Sequence, residues 1–409
     1  MSKIPEHEAG PAGRMVAIKH AGPLPWVQLR NAAFSTSIFR KMVGRCAPGV
    51  PNGGLVSVYD RDGAAFGTAL FSSQSQIALR MVAWGDQPLD ETFLEQRLED
   101  AVRLRREILK LDQTTDAYRV VHAEGDGLPG LIADRLGKVV VVELISIGMY
   151  QRRERITEKL KKLLPVEHVL FRADEMVQNA EGFRLDDSDA GVGSGIITEN
   201  KLRFQVDPAR GHKTGFFCDQ RDNRMALTQF TTGAQVLDMC CYSGGFGIYA
   251  AKLGEAANVT AVDLDEDAVA LARRNANLNQ IAPAKYQTVH ADGFGYLRQM
   301  KLNGRAFDVV VLDPPKLISS RDEMSEGRKK YFDLNKLALG IVKPGGMLLT
   351  CSCSGLLDPA EMLNVVRGAA RSAGKRVQIL KTSGAGADHP VATDYLEGMY
   401  LKCVWCRVV

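Results

Sequence analysis

Apolar and polar positions fall into three regimes along the chain. Between Pro23 and Trp84, the short runs GGLVSVYD, AAFGTALF and QIALRMVAW are separated by Gly, Pro and Asn. β-rich runs bounded by turn formers predict strands, and strands this short predict a small barrel or sandwich. The next segment, FLEQRLEDAVRLRREIL, repeats its apolar residues at helical spacing. It leads into YRVVHAEGDGLPGLIADRLGKVVVVELISIG, which reads as a strand, a glycine-rich turn and two strands, with the helix RERITEKLKKLL behind them. From Lys201 onward strands and helices alternate: AQVLDMC, a helix, NVTAVDL, a helix, YQTVHAD, FDVVVLD, a helix, GGMLLTC. That alternation predicts an α/β domain with a parallel, doubly wound sheet, whose ligands lie at the strand carboxyl ends. The expected division is 1–84 for a tail and a β-rich domain, 85–198 for a middle α+β domain, and 199–409 for the doubly wound domain.

Composition narrows the class. A chain of 409 residues with 45% hydrophobic and 24% charged residues suits a globular protein of two or three domains. Its net charge of +4 permits a nucleic-acid partner without announcing one. No apolar run is long enough for a membrane span, and the start, MSKIPEHEAGPAGR, reads as a mobile polar tail without the apolar centre of a signal peptide. Cys240 and Cys241 adjoin, as nearly do Cys351 and Cys353, which is poor material for a disulfide framework and predicts a reducing, cytoplasmic setting. Cys403 and Cys406 form one C-x-x-C with no second pair at finger spacing, so no metal is expected.

Candidate chemistry begins where AQVLDMC runs into CYSGGFGIYAAKLG. Gly244, Gly245 and Gly247 would let backbone approach a ligand. The order G-G-x-G departs from the G-x-G-x-x-G of nicotinamide sites. Asp238, just before the turn, would repel a pyrophosphate but suits the ammonium of a methionine moiety. Asp263 closes the next strand, where a carboxylate can accept both ribose hydroxyls. Asp292 ends a third strand and could accept from an adenine amino group. Together these acids predict S-adenosylmethionine as cofactor.

FDVVVLDPPKL ends in Asp313-Pro314-Pro315-Lys316, a rigid extended stretch that fixes an acid and a carbonyl against a flat substrate. Asp-Pro-Pro also fits methylation of exocyclic nitrogens, although an aromatic residue usually follows there and Lys316 follows here. The next strand end, GGMLLTCSCSGLL, offers a thiol. Carbon-5 of cytosine becomes nucleophilic once a thiolate adds to carbon-6, which requires a cysteine at a strand end with a lowered pKa. Cys353, flanked by Ser352 and Ser354 where the strand breaks, is the candidate; small buried thiols are the plainer reading of Cys351 and Cys353.

These residues resemble bacterial 23S rRNA cytosine-C5 methyltransferases of the large-subunit methyltransferase I type, from about Pro25 to Val409. The markers are PWV at Pro25, EGDGLPG at Glu124, GHKTGFFCDQRDNR at Gly211, CYSGGF at Cys241, DPPK at Asp313, SCSG at Ser352, DHPV at Asp388 and EGMYLK at Glu397. The resemblance implies an N-terminal PUA domain, a middle α+β domain and a C-terminal Rossmann-like class I methyltransferase domain. It implies that Cys353 is the nucleophile; Asp313 and Lys316 of DPPK are expected to be catalytic with it, and Asp313 to bind the cofactor as well. It also implies that Phe216, Gln220 and Arg221, together with Tyr242, Ser243, Gly244, Gly245 and Phe246 of the turn, lie near the cofactor. The partner it implies is 23S rRNA or a large-subunit assembly particle, with a homodimer allowed. The chain departs from the pattern in lacking basic residues before the PW pair, and in Cys351, where an aromatic residue is usual.

Several features admit two readings. Arg152, Arg153, Arg155, Lys159, Lys161 and Lys162 in the helix over 151–164 are either a phosphate-contacting face or a solvated one. Arg328, Lys329 and Lys330 are placed to flank RNA. His389 either lines a base pocket or caps a loop, and EGDGLPG reads as a turn. The competing functions are a guanine or adenine nitrogen methyltransferase, in which Cys353 is dispensable, and a ribosome-assembly RNA-binding protein without chemistry.

Overall fold

The computed structural model describes residues 15–18, 22–86, 89–186, 192–209 and 215–409. The tail over 1–14 and the 211–214 part of one family marker lie outside them. The first domain is a six-stranded sheet whose three longest strands, Leu55–Tyr59, Ala65–Phe71 and Ile77–Trp84, match the three β-rich runs. Pairing is antiparallel except between Trp26–Leu29 and Leu55–Tyr59. Val27, Leu29, Ile38, Val56, Val58 and Leu79 fill its core.

The middle domain carries a four-stranded sheet in the order His168–Arg172, Val139–Leu144, Leu131–Leu136, Ala117–His122. Helices Phe93–Arg103 and Arg153–Leu163 pack together, and their contact corrects the phosphate-face reading. Arg152 is buried and pairs with Glu91, Arg155 pairs with Glu91 and Glu95, and Lys159 pairs with Glu99. Arg153 lies over the Tyr150 ring at 4.5 Å. Four of the six charges are thus spent inside the protein, leaving Lys161 and Lys162 exposed. Arg328 likewise pairs with Glu361, and Lys330 with Glu326 at 2.7 Å.

The hairpin Gly195–Glu199/Leu202–Val206 crosses residue 199, so a division at 198/199 cuts a paired ribbon. The hydrophobic core is continuous there: Leu136, Val141 and Leu170 of the middle domain share one cluster with Phe216, Tyr249 and Trp405. Beyond it lies a seven-stranded sheet in the order Tyr286–His290, Asn258–Asp263, Gln235–Met239, Phe307–Leu312, Val342–Ser352, Lys402–Val408, Val377–Ser383. The first five strands are mutually parallel, and Lys402–Val408 inserts antiparallel between its neighbours. Cys403 and Cys406 belong to clusters on opposite faces of this sheet, as a spacing of three on a strand requires.

Buried charge joins the middle and last domains. The Asp388 carboxylate accepts from Arg221 Nη2 at 2.8 Å and from the Arg119 backbone N–H at 3.0 Å. Its backbone carbonyl accepts from Arg105, which also grips Asp126 at 2.5 and 2.8 Å. Burial opposes ionisation of Asp388, but His389 and Arg221 outweigh it and hold the carboxyl well below the usual range. Gly125 abuts this junction so closely that a Cβ would meet the Pro390 carbonyl oxygen at 2.0 Å. EGDGLPG and DHPV, distant in sequence, are therefore docked on each other. His389 sits inside the junction, its side chain 1% exposed and its ring 5.1 Å from that of His122, so it lines no open pocket.

Removing Asp388 strands Arg221 in a buried site, a situation that costs about 3–5 kcal/mol. Asp388→Ala should lower the urea midpoint accordingly. A midpoint equal to that of the wild type would show that the junction contributes nothing to the fold.

Candidate functional site

Parallel register places the carboxyl ends of five strands in one row. Val262 and Leu312 both pair with Met239, Asp263 pairs with His290, and Leu312 pairs with Thr350. Across that edge the sheet presents Asp292, Asp263, Cys240 with Asp238, Asp313 and Cys353 in spatial order. At about 4.8 Å per strand the row spans roughly 19 Å.

Asp238 is 1% exposed, and its Oδ2 accepts from the Gly247 backbone N–H at 2.8 Å. Its Oδ1 is buried with no hydrogen-bond partner among the described residues. Burial, reinforced by Asp313 and Asp263 and partly offset by the Gly247 bond, pushes its carboxyl up to about 7. Asp263 is held from both sides, accepting from Tyr242 N at 2.8 Å and Asp265 N at 3.0 Å. Asp292 caps the helix Gly293–Leu302, accepting from Gly295 N at 2.7 Å. A buried, partnerless carboxylate oxygen among other acids suits a ligand that brings positive charge, as the sulfonium and ammonium of S-adenosylmethionine do.

The connection from Cys240 to Gly244 holds Cys240, Tyr242 and Gly244 at φ of 59°, 47° and 78°. Two non-glycine residues in the left-handed region mark a turn over-determined by its surroundings. The glycines answer to packing more than to ligand approach. A Cβ on Gly244 would meet Tyr286 Oη at 2.5 Å, one on Gly245 would meet Arg224 Cδ at 2.9 Å, and one on Gly247 would meet Val259 Cγ1 at 2.9 Å.

Several residues expected near the cofactor take structural posts. Phe216 is buried beneath the Arg224 guanidinium at 4.9 Å and beside Phe204 at 5.3 Å; it is Phe217 that meets the Tyr242 ring, at 5.0 Å. Phe246 belongs to the core, and the Ser243 carbonyl accepts from Asn275. Arg221 is spent on Asp388. Gln220, in contrast, reaches the chemistry side, with Nε2 donating to Asp313 Oδ2 at 3.1 Å.

The two cysteines of the SCSG strand end differ sharply. Cys351 is fully buried and pairs across the ladder with Cys403; burial pushes its thiol well up. Cys353 lies one residue past the strand end and is partly exposed. Its neighbours Ser352 and Ser354 are fully buried, and Ser354 Oγ meets Tyr331 Oη at 2.9 Å and accepts from Ile318 N at 3.2 Å. Lys316 is exposed, beyond an exposed Pro315, and takes no part in these bonds. A residue that the sequence analysis passed over is Lys402, which opens the inserted strand. It is 6% exposed and donates through Nζ to the carbonyls of Ser354 at 2.6 Å and Tyr400 at 2.7 Å. Its one sequence signal is a lysine closing EGMYLK at the start of an apolar strand.

Comparison with known proteins accounts for this arrangement. The family described as S-adenosylmethionine-dependent methyltransferase matches residues 168–382, and a PUA-like domain matches 33–84. Ribosomal RNA large subunit methyltransferase I of Aeromonas hydrophila is 39% identical over 374 residues, 89% of this chain and 93% of the relative. Its Vibrio vulnificus namesake is 37% identical over 381 residues, 91% and 95% of the two chains. The chain belongs to the ribosomal RNA large subunit methyltransferase I family. Its fold is also that of SMU.776, whose crystal structure complexed with SAH has a TM-score of 0.76 at 22% identity over 91% of this chain and 96% of that one. Membership makes this protein an S-adenosylmethionine-dependent methyltransferase built on a Rossmann-like sheet behind a PUA-like domain. The cofactor expectation, the fold class and the resemblance are thereby borne out.

Asp238 has a folded pKa above its unfolded value, so its ionised form destabilises the cofactor-free protein. The penalty grows as the pH rises from about 4 to 7 and levels off above. Asp238→Asn should therefore raise the Tm of the cofactor-free protein at pH 8, with a gain that shrinks as the pH falls from 7 towards 4. The same change should weaken S-adenosylmethionine binding at least tenfold by calorimetry. A variant that keeps full cofactor affinity would remove Asp238 from the site.

Proposed function

We propose that this protein methylates carbon-5 of a cytosine in 23S rRNA, with Cys353 as the nucleophile. The observation that carries the reading is the contrast between the two thiols: Cys351 is sealed in the sheet, whereas Cys353 is partly exposed at the end of the strand next to Asp313. Asp238 and Asp263 would hold the methionine and ribose moieties, and Asp292 the adenine. The cofactor supplies an electrophilic methyl group on a sulfonium. The Cys353 thiolate adds to carbon-6, which makes carbon-5 nucleophilic enough to take that methyl group. Loss of the carbon-5 proton to a base then restores the ring and expels the thiolate. Asp313, oriented by Gln220, is placed to hydrogen-bond the cytosine edge and keep the ring in line.

The first domain supports an RNA substrate. Phe34 is 83% exposed and meets Phe66 and Trp84 in tilted ring contacts at 5.7 and 5.3 Å, forming an aromatic face of the kind that single-stranded bases use. Trp84 Nε1 donates to Asp394 Oδ2 at 2.6 Å, which ties that face to the segment leading into EGMYLK.

Fluorine at carbon-5 blocks the last step, because it cannot leave as a cation. RNA carrying 5-fluorocytidine at the target should become covalently linked to the protein only when S-adenosylmethionine is present. Cys353→Ala should abolish both linkage and turnover, and Cys351→Ala should keep most of both. A Cys353→Ala protein that still methylates rRNA would sink the carbon-5 mechanism and favour methylation of a ring or exocyclic nitrogen. Linkage lost only in Cys351→Ala would show that the other thiol acts.

A further inference from the structure

A lysine buried at a strand end needs a reason. Desolvating an ammonium is costly, and two backbone carbonyls, which carry no net charge, offset only part of that cost. Lys402 stands opposite Ser352 in the ladder, but its side chain runs past the strand end to the Ser354 carbonyl, so its charge lies beside the Cys353–Ser354 segment. We propose that Lys402 is the group that keeps Cys353 ionised: its ammonium stabilises the thiolate, and it acts through Cys353 without touching the base. The inference rests on the reading of Cys353 as the nucleophile.

Three further observations support it. Burial pushes the Lys402 amine down to about 8, and Cys353, Asp358 and Cys403 are the groups that pull it back up, so the amine and the thiol are electrostatically coupled. Tyr331, from the helix Met324–Leu339, is also coupled to Cys353, and burial pushes its hydroxyl up, so it stays neutral and adds no charge. The serines on both sides of Cys353 are fully buried, which fixes the thiol in place relative to the amine. An opposite charge close by lowers a thiol pKa by about 1–3 units, enough to move an ordinary thiol near 8.5 into the range where it is largely ionised at neutral pH.

The test reads ionisation directly. The full-length protein, without RNA or cofactor, is alkylated with iodoacetamide across pH 5.5–10 (about 0.5-unit steps, wide enough to bracket an ordinary thiol). Modification at Cys353 is followed by fragment-ion mass spectrometry, which separates it from Cys351. In the wild type the midpoint should lie below the ordinary thiol value. Lys402→Met should raise it by about one unit or more, and Lys402→Arg, which keeps the charge, should restore it to within about half a unit. An unchanged midpoint in Lys402→Met overturns the proposal. So does a wild-type midpoint at or above 8.5, a result that needs no variant to fold. The readout also stands apart from the nucleophile assignment: if Cys353→Ala remained active while the alkylation shift was found, the chemistry would be misassigned but the lysine–thiol coupling would stand.

Discussion

Backbone register in the parallel sheet is the constraint on which the site depends. Side chains alternate faces along a strand, so a one-residue slip in any of the four parallel ladders would turn its terminal acid or thiol to the opposite face. Pairing of Met239 with both Val262 and Leu312, and of Leu312 with Thr350, prevents that. The buried runs QVLDM, NVTAVD and FDVVVL supply the apolar contacts that make each register unique. The strand-end acids and the thiol then follow from topology, each one standing where a strand ends and the chain must turn.

The edge so formed is poor in stability. Asp238, Asp263, Asp292 and Asp313 gather negative charge at the row, and Asp238 has an oxygen that nothing in the described protein satisfies. Cys240 and Tyr242 hold left-handed backbone between them. Such features cost free energy, and a cationic ligand bound there, as proposed, would offset that cost. Compensation lies behind the row. Arg224 is bound by both oxygens of Glu199 and covered by Phe216, and Arg221 is locked to Asp388. These buried pairs hold the segment from Phe216 to Arg224 rigid, so that Gln220 meets Asp313 without an ordering penalty at the moment of binding.

The architecture and the placement of the acids at strand ends were legible because they depend on local pattern. Alternation of strands and helices reports a parallel sheet, and a polar residue ending an apolar strand points out of its carboxyl edge. What escaped depends on partners far away in sequence. The basic helix looked free because Glu91, Glu95 and Glu99 stand some sixty positions earlier, on or just before a helix it packs against only in the fold. Phe216 and Phe246 lie in motifs that resemble cofactor loops, yet proximity in a motif does not say which way a ring points, and both rings turn into the core. Lys402 meets the Ser354 carbonyl across 48 positions, through an antiparallel strand inserted into a parallel sheet, a pairing that no local pattern encodes.

That insertion bears on how the proposed nucleophile could be both held in place and open to solvent. Within the strand Val342–Ser352 a cysteine side chain is enclosed by its ladder neighbours, and Cys351, opposite Cys403, has its ionisation suppressed by burial. Two residues on, the ladder has stopped, and a side chain regains solvent access while the backbone on either side is still held by buried serines. Had the strand run one residue further, Cys353 would sit in the sheet as Cys351 does. Had the serines been free, the thiol would sample many positions and lose the alignment that the proposed attack on a ring carbon would need. Solvent access of the Cys353 side chain therefore follows from where the strand ends. The inserted strand, by bringing Lys402 to that same end, adds positive charge at the point where the cysteine escapes burial.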